Sequence, residues 1–244
     1  MKEESSDPLR EFRRANVDLT LRLAQQARDA NVRRFIFLSS AKVHGESSLP
    51  GRPFTEVDTP APADPYAVSK LEAEQALWAL AEKTDMDVVI VRMPLVYGPG
   101  VKANFYNLMR WLKSGFPLPF GAVNNLRSLV ALENLLDLLM VCMDHPSAAN
   151  EVFLVADGDD VSTTELLRRL SSALQMPARL LPVPPSTLAG IARITGRFAL
   201  YTRLCGSLQV DAGKARRLLG WVPPVGMDEA LSRTAEDFLR RCGS

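Results

Sequence analysis

Histidine is nearly missing from this chain, with only His44 and His145 in 244 residues, and the three cysteines, Cys142, Cys205 and Cys242, show no Cys-x-x-Cys spacing. Ligands so few and so spread indicate neither a zinc site nor a disulfide framework, so no metal is expected. The thiols read as reduced, as in a cytoplasmic protein. An excess of one charge is missing too. Lys and Arg number 29 against 28 Asp and Glu, a net charge of +1, which provides no field to hold a nucleic acid or an anionic membrane. Long apolar runs are also absent. Residues 135–143 fall short of the roughly 20 that a membrane span needs, and residues 180–206, interrupted by Arg193, Arg197 and Arg203, read as an amphipathic helical lobe. Residues 1–7 are polar and charged, so no secretory leader is expected.

Apolar residues make up 47% of the chain, enough for a core in one α/β domain or a domain with a lobe. Residues 8–30 read as a helix: Leu9, Phe12, Val17, Leu21, Leu23 and Ala24 recur at roughly helical spacing, and Pro8 suits a first turn. Phe35-Ile36-Phe37-Leu38 is a continuous apolar run, the pattern of a strand buried on both faces. A loop over 45–65 leads to a helix over 66–83 and a second buried strand, Val88-Val89-Ile90-Val91. Further helices are predicted over 105–113, 132–143 and 165–174, the last opened by a capping box of Ser162 and Glu165. A strand over 152–155, a short helix between Asp211 and Gly220 and an amphipathic helix over 228–241 complete the chain. Helix alternating with strand predicts a parallel sheet.

Ser39 and Ser40 end the first strand, and Tyr66 and Lys70, four apart at the start of a helix, share one face. A phenol titrates near about 10 in water, and an ammonium beside it, or a cationic nicotinamide ring, favours the phenolate. Such a Tyr is a usable general base, and a serine hydroxyl opposite can hydrogen-bond a substrate oxygen as it shifts between alcohol and ketone. Tyr-x-x-x-Lys alone arises by accident in roughly one such chain in ten. The context carries the reading: Ser-Ser-Ala after a buried strand, Pro65-Tyr66 opening a helix, and a second buried strand ending Val91-Arg92-Met93-Pro94.

The run from Phe35 to Gly45, the segment Pro65-Tyr66-Ala67-Val68-Ser69-Lys70, and Arg92-Met93-Pro94-Leu95-Val96-Tyr97-Gly98-Pro99-Gly100 resemble successive signatures of the extended short-chain dehydrogenase/reductase family, in its UDP-sugar epimerase/dehydratase group. Asn16-Val17-Asp18-Leu19-Thr20 is similar to an Asn-Val-x-Gly-Thr element that interrupts a helix, with Leu19 in place of the glycine, and residues 211–224 are similar to the family's closing Asp-x-x-Lys-x-x-x-x-Leu-Gly-Trp-x-Pro segment. The resemblance implies that Tyr66 is the acid/base, that Lys70 holds the nicotinamide ribose and tunes Tyr66, that Ser40 orients the sugar hydroxyl, and that Asn16 supports a proton relay to the lysine. Ser39 and Pro94 would line the nicotinamide pocket, the alternative for Ser39 being a strand-end hydroxyl satisfied by backbone. Arg127 would contact substrate phosphate, its planar fork suiting a diphosphate, and Asn104, in the loop before Phe105, the substrate. His44 reads as pocket-lining or structural and His145 as a solvated helix end. The implied cofactor is NAD, with NADP left open. The implied partners are a UDP-sugar and, across the helices over 8–30 and 66–83, a second copy of the chain.

The family opens with Gly-x-x-Gly-x-x-Gly at a helix N-terminus that holds the pyrophosphate, and no such element occurs in these 244 residues. The expected fold is therefore α/β: a partial Rossmann-like, doubly wound parallel sheet without its first strands and Gly-rich loop, and a small C-terminal α/β substrate lobe. Residues 1–98 would be the remainder of the NAD-binding domain and 99–244 mainly the lobe, with segments returning to the core. The strand over 35–38 is expected to be an exposed apolar edge, and the chain by itself to be weakly active or inactive. The reaction implied is NAD-dependent UDP-glucose or UDP-N-acetylglucosamine 4-epimerisation in cell-surface polysaccharide (lipopolysaccharide) synthesis. The alternatives are NAD(P)H-dependent reduction of a UDP-4-keto-6-deoxy-N-acetylhexosamine and a non-catalytic binding module. A dehydratase fits less well, because Ala41 and Lys42 stand where that subgroup carries an acidic pair.

Overall fold

A computed structural model of the chain describes residues 7–49 and 51–242. The leader reading of residues 1–6, and Pro50 in the predicted loop, lie outside these. The helix predicted over 8–30 is present in three parts: α1 (Pro8–Arg13), a π-helical turn (Arg14–Asp18) that contains Asn16, and α2 (Leu19–Asp29). Strand β1 (Arg34–Ser40) runs into a 3-10 turn (Ala41–His44), helix α3 (Pro65–Ala81) and strand β2 (Asp87–Met93). β1 pairs in parallel with β2 from Arg34 opposite Asp87 to Ser40 opposite Met93. Strand β3 (Leu95–Tyr97), helix α4 (Ala103–Lys113), strand β4 (Leu129–Ala131), helix α5 (Leu132–Asp144) and strand β5 (Val152–Leu154) follow. β5 returns to pair in parallel with β2, giving the order β1-β2-β5, while β3 and β4 form a second parallel pair. Helices α6 (Thr163–Ala173), α7 (Pro185–Ile194), α8 (Phe198–Cys205), α9 (Gly213–Leu219) and α10 (Met227–Cys242) complete the described chain.

The sheet is covered on both faces, as the apolar strand runs require. Alternate residues of β2 point opposite ways: Val88 and Ile90 pack with Ala73 and Leu77 of α3, and Val89 and Val91 with Leu135, Leu138 and Trp221. A separate core joins β3 and β4 to α4, α6 and α10 through Tyr97, Phe105, Leu167 and Phe238. Among the described residues β1 has a partner strand on one side only. Its Phe35, Ile36 and Leu38 are half-buried and Phe37 buried, so its apolar residues are less open than the predicted exposed edge.

The closing motif is structural. Lys214 Nζ ties α9 to Glu151 at 2.7 Å and to the Val152 carbonyl at 2.8 Å, Gly220 ends the helix at φ +66°, and Trp221 Nε1 donates to Asp137 of α5 at 2.7 Å. The predicted capping box forms its first half, with Ser162 Oγ accepting from the Glu165 backbone N–H at 3.0 Å.

Candidate active site

Two caps aim Ser40 and Tyr66 at the carboxyl end of the parallel strands, where such sheets open a crevice. Ser40, with extended backbone, caps the 3-10 turn, its Oγ accepting from the Lys42 backbone N–H at 3.2 Å. Asp64 caps α3, its Oδ1 accepting from the Ala67 N–H at 2.7 Å, and Pro65 suits the first turn. Tyr66 therefore lies in that turn, with Lys70 one turn further along the same face. Lys70 Nζ donates to the Leu38 carbonyl at 2.9 Å and lies 4.6 Å from the centre of the Phe37 ring and 5.9 Å from that of Tyr66.

Ser40, Tyr66, Pro94, Asn104 and Arg127 line one cavity of about 510 Å³, together with Lys42, Asp64, Leu95 and Arg203. Asn104 belongs to the first turn of α4 rather than to the loop before it. Arg127 is aimed by its backbone: its N–H donates to the Val161 carbonyl at 3.0 Å, and the Ser128 N–H donates to the Leu208 carbonyl at 2.9 Å. One guanidinium nitrogen donates to the Gly206 carbonyl at 2.9 Å, which leaves other donors of the fork for a ligand. Burial holds this guanidinium below its usual value, with the Cys205 thiol and Glu46 opposing.

The Tyr66 phenol is raised here, where the simple ammonium argument expects it lowered. Burial and then Asp64 hold the phenol above its usual value, and the cation that opposes them is Lys42. The reason is placement: Lys70 sits near the ring and turns its ammonium to the Leu38 carbonyl, and burial pulls it below its own usual value, with Glu74 opposing. Asn16 Nδ2 donates to Ser69 Oγ at 2.9 Å, and Ser69 Oγ donates to the Tyr66 carbonyl at 2.8 Å. Asn16 thus touches the Ser69 hydroxyl and reaches the backbone of the Tyr66 turn only through it, rather than contacting Lys70.

Ser39 does not line the cavity. It is fully buried, and its hydroxyl donates to the Glu74 carboxylate, a side chain rather than the backbone partner considered above. Glu74 also accepts from Arg92, whose Nη1 meets His44 Nε2 at 3.0 Å. His44 stacks on Phe54 at 5.3 Å between ring centres and is pushed down to about 4, by burial first and then by Arg92. It is structural rather than pocket-lining. His145 caps a turn, its Nδ1 accepting from the Ser147 N–H at 3.2 Å. No role for Glu74 or Arg92 follows from the sequence alone. The signal it holds is a charge of each sign set inside otherwise apolar stretches, Glu74 one turn past Lys70 and Arg92 between Val91 and Met93.

This chain belongs to the NAD dependent epimerase/dehydratase family, which it matches over residues 2–156. A UDP-glucose 4-epimerase of Vibrio cholerae is 49% identical over 241 residues, 98% of this chain and 74% of that protein. A UDP-glucose 4-epimerase of Mycolicibacterium smegmatis is 30% identical over 232 residues, 91% of this chain and 68% of its own length. Among solved structures, MoeE5 in complex with UDP-glucose and NAD is 25% identical with a TM-score of 0.76, over 97% of this chain and 75% of that one. Among the described residues no helix is long and apolar enough to cross a membrane.

Proposed function

We propose that this protein, when joined to the Gly-rich nucleotide-binding segment that these 244 residues lack, carries out NAD-dependent oxidoreduction at C4 of a UDP-hexose, UDP-glucose or UDP-N-acetylglucosamine, as a 4-epimerase. The observation that carries the proposal is the meeting of Ser40, Tyr66, Pro94, Asn104 and Arg127 on one cavity, with Lys70 next to the Tyr66 ring. The similarity to the Vibrio cholerae protein supports the substrate class.

Lys70 fits the ribose end of NAD: half-buried against the carboxyl-terminal half of β1, it spends one of its three donors on Leu38. Tyr66 and Pro94 would flank the nicotinamide, with NADP left open. NAD, when bound, supplies an acceptor for the C4 hydride and a donor for its return. Tyr66 takes the proton of the 4-hydroxyl and gives it back after the 4-keto sugar has turned. Ser40 Oγ hydrogen-bonds the same oxygen, Arg127 holds the diphosphate, and Asn104 contacts the sugar. Cytoplasmic location, a place in cell-surface polysaccharide (lipopolysaccharide) synthesis, and a homodimer across the faces of α1–α3, where Leu19 and Leu23 are 63% and 56% exposed, belong to the same proposal.

A second reading rests on Leu95, an apolar cavity residue next to Pro94 that suits the C6 methyl of a 6-deoxy sugar. It makes the protein an NAD(P)H-dependent reductase of a UDP-4-keto-6-deoxy-N-acetylhexosamine. Product analysis separates the two. The C4-inverted sugar formed from UDP-glucose or UDP-N-acetylglucosamine supports the epimerase, and NAD(P)H consumption on the keto sugars alone supports the reductase. No turnover in either assay, with Tyr66→Phe the same as wild type, contradicts both.

A further inference from the structure

The turn after Ser40 carries a lysine that the catalytic roles above leave unused. Lys42 lines the same cavity as Ser40 and Tyr66, and its half-buried ammonium donates to Asp64 at 2.5 Å and to Glu46 at 2.9 Å. Asp64 uses one oxygen for Lys42 and the other to cap the helix that carries Tyr66. The bridge therefore spans from the turn capped by Ser40 to the first turn under Tyr66, the two elements whose spacing the reaction needs. Its members are held in charged form. Burial pulls Lys42 down, but its bonds to Asp64 and Glu46 outweigh this and hold it above its usual value. Burial likewise opposes Asp64, which Lys42 and the Ala67 N–H hold below its own.

Resting on the C4 redox reading, we propose that Lys42 is a positioning residue of the reaction: through Asp64 it locks the Ser40 turn onto the Tyr66 helix, and its charge offsets that of Asp64 at the phenol. The charged groups around Tyr66 are Asp64 and Lys70 on α3, Lys42 with Glu46 from the turn and the loop after it, and Arg127 and Arg203 elsewhere on the cavity lining. Helix α1 brings the Phe12 ring against Tyr66 at 5.7 Å, and its Arg13 is taken by Glu72 at 2.6 Å. Of these groups Asp64 raises the phenol and Lys42 lowers it, so removing either has a consequence of opposite sign.

The test is the pH profile of kcat/KM for Lys42→Met, Lys42→Arg and Asp64→Asn, together with a titration of Tyr66 by NMR of ring-labelled tyrosine, assigned with Tyr66→Phe. Asn still caps a helix, so Asp64→Asn keeps the fold of the first turn. Lys42→Met is expected to move the Tyr66 titration and the profile to higher pH and to lower kcat/KM at neutral pH about tenfold. Asp64→Asn moves both to lower pH, and Lys42→Arg restores the wild-type position. Shifts of the same sign in Lys42→Met and Asp64→Asn, or no shift in either, overturn the inference. If Tyr66→Phe meanwhile abolishes turnover, the C4 redox reading stands without it; if Tyr66→Phe is fully active, both fall.

Discussion

Arg92 grips Glu74 from two sides, with Nε at 3.1 and 3.2 Å from its two carboxylate oxygens and Nη2 at 2.6 Å. The pair lies one turn past Lys70 and in contact with Ser39, with side chains only 7% and 2% exposed. Removing one partner leaves a buried charge alone, whereas removing both does not. Glu74→Ala is therefore expected to cost about 3–5 kcal/mol in urea denaturation, and Glu74→Met with Arg92→Met clearly less. A single variant no worse than the double one contradicts the assignment.

His44 makes stability depend on pH. Its folded value, about 4, lies below the ordinary 6.5, so between these values the unfolded chain binds a proton that the native chain refuses. Stability then falls as pH falls through that window, by on the order of 3 kcal/mol in all. His44→Gln keeps an acceptor for Arg92 and should flatten the slope. An unchanged slope places the titration elsewhere.

Arg127 is proposed to grip the diphosphate equally in the ground and transition states, an interaction that appears in KM rather than kcat. Arg127→Lys keeps the charge but loses the fork. KM for the nucleotide sugar should rise about tenfold with kcat little changed. A fall confined to kcat would move Arg127 into the chemical step.

Gly98 turns the chain between β3 and α4 at φ +154°, and a Cβ there would stand 2.8 Å from that of Leu132. Gly98→Ala is expected to lower stability by roughly 1–3 kcal/mol, read as a drop in Tm. An unaltered Tm would show that the β3–β4 pair yields at that point.

The core and the placement of Tyr66 and Lys70 on one helix face were legible in the sequence because they are encoded locally. Four apolar residues in a row mark each of β1 and β2, and Tyr66 and Lys70 need only helical spacing to share a face. What escaped depends on contacts distant in sequence. β3 and β4 are three residues each, too short for any periodicity; they pair in parallel and are bridged by Asp157, which accepts from the Tyr97 hydroxyl at 2.8 Å and from the Ala131 N–H at 2.8 Å. Lys42 reaches Asp64 across 22 positions, and Glu74 meets Arg92 across 18. Lys70 likewise turns to the backbone of Leu38, a preference that spacing along one helix does not express.

The central claim, redox chemistry at C4 with Tyr66 as acid/base, is tested most directly with UDP-glucose carrying deuterium at C4. The account predicts a C4-inverted product that retains the deuterium, because the hydride leaves and returns within one site, and a rate about 10²- to 10⁴-fold lower for Tyr66→Phe. Deuterium lost to solvent, or inversion at an unchanged rate in Tyr66→Phe, would contradict it.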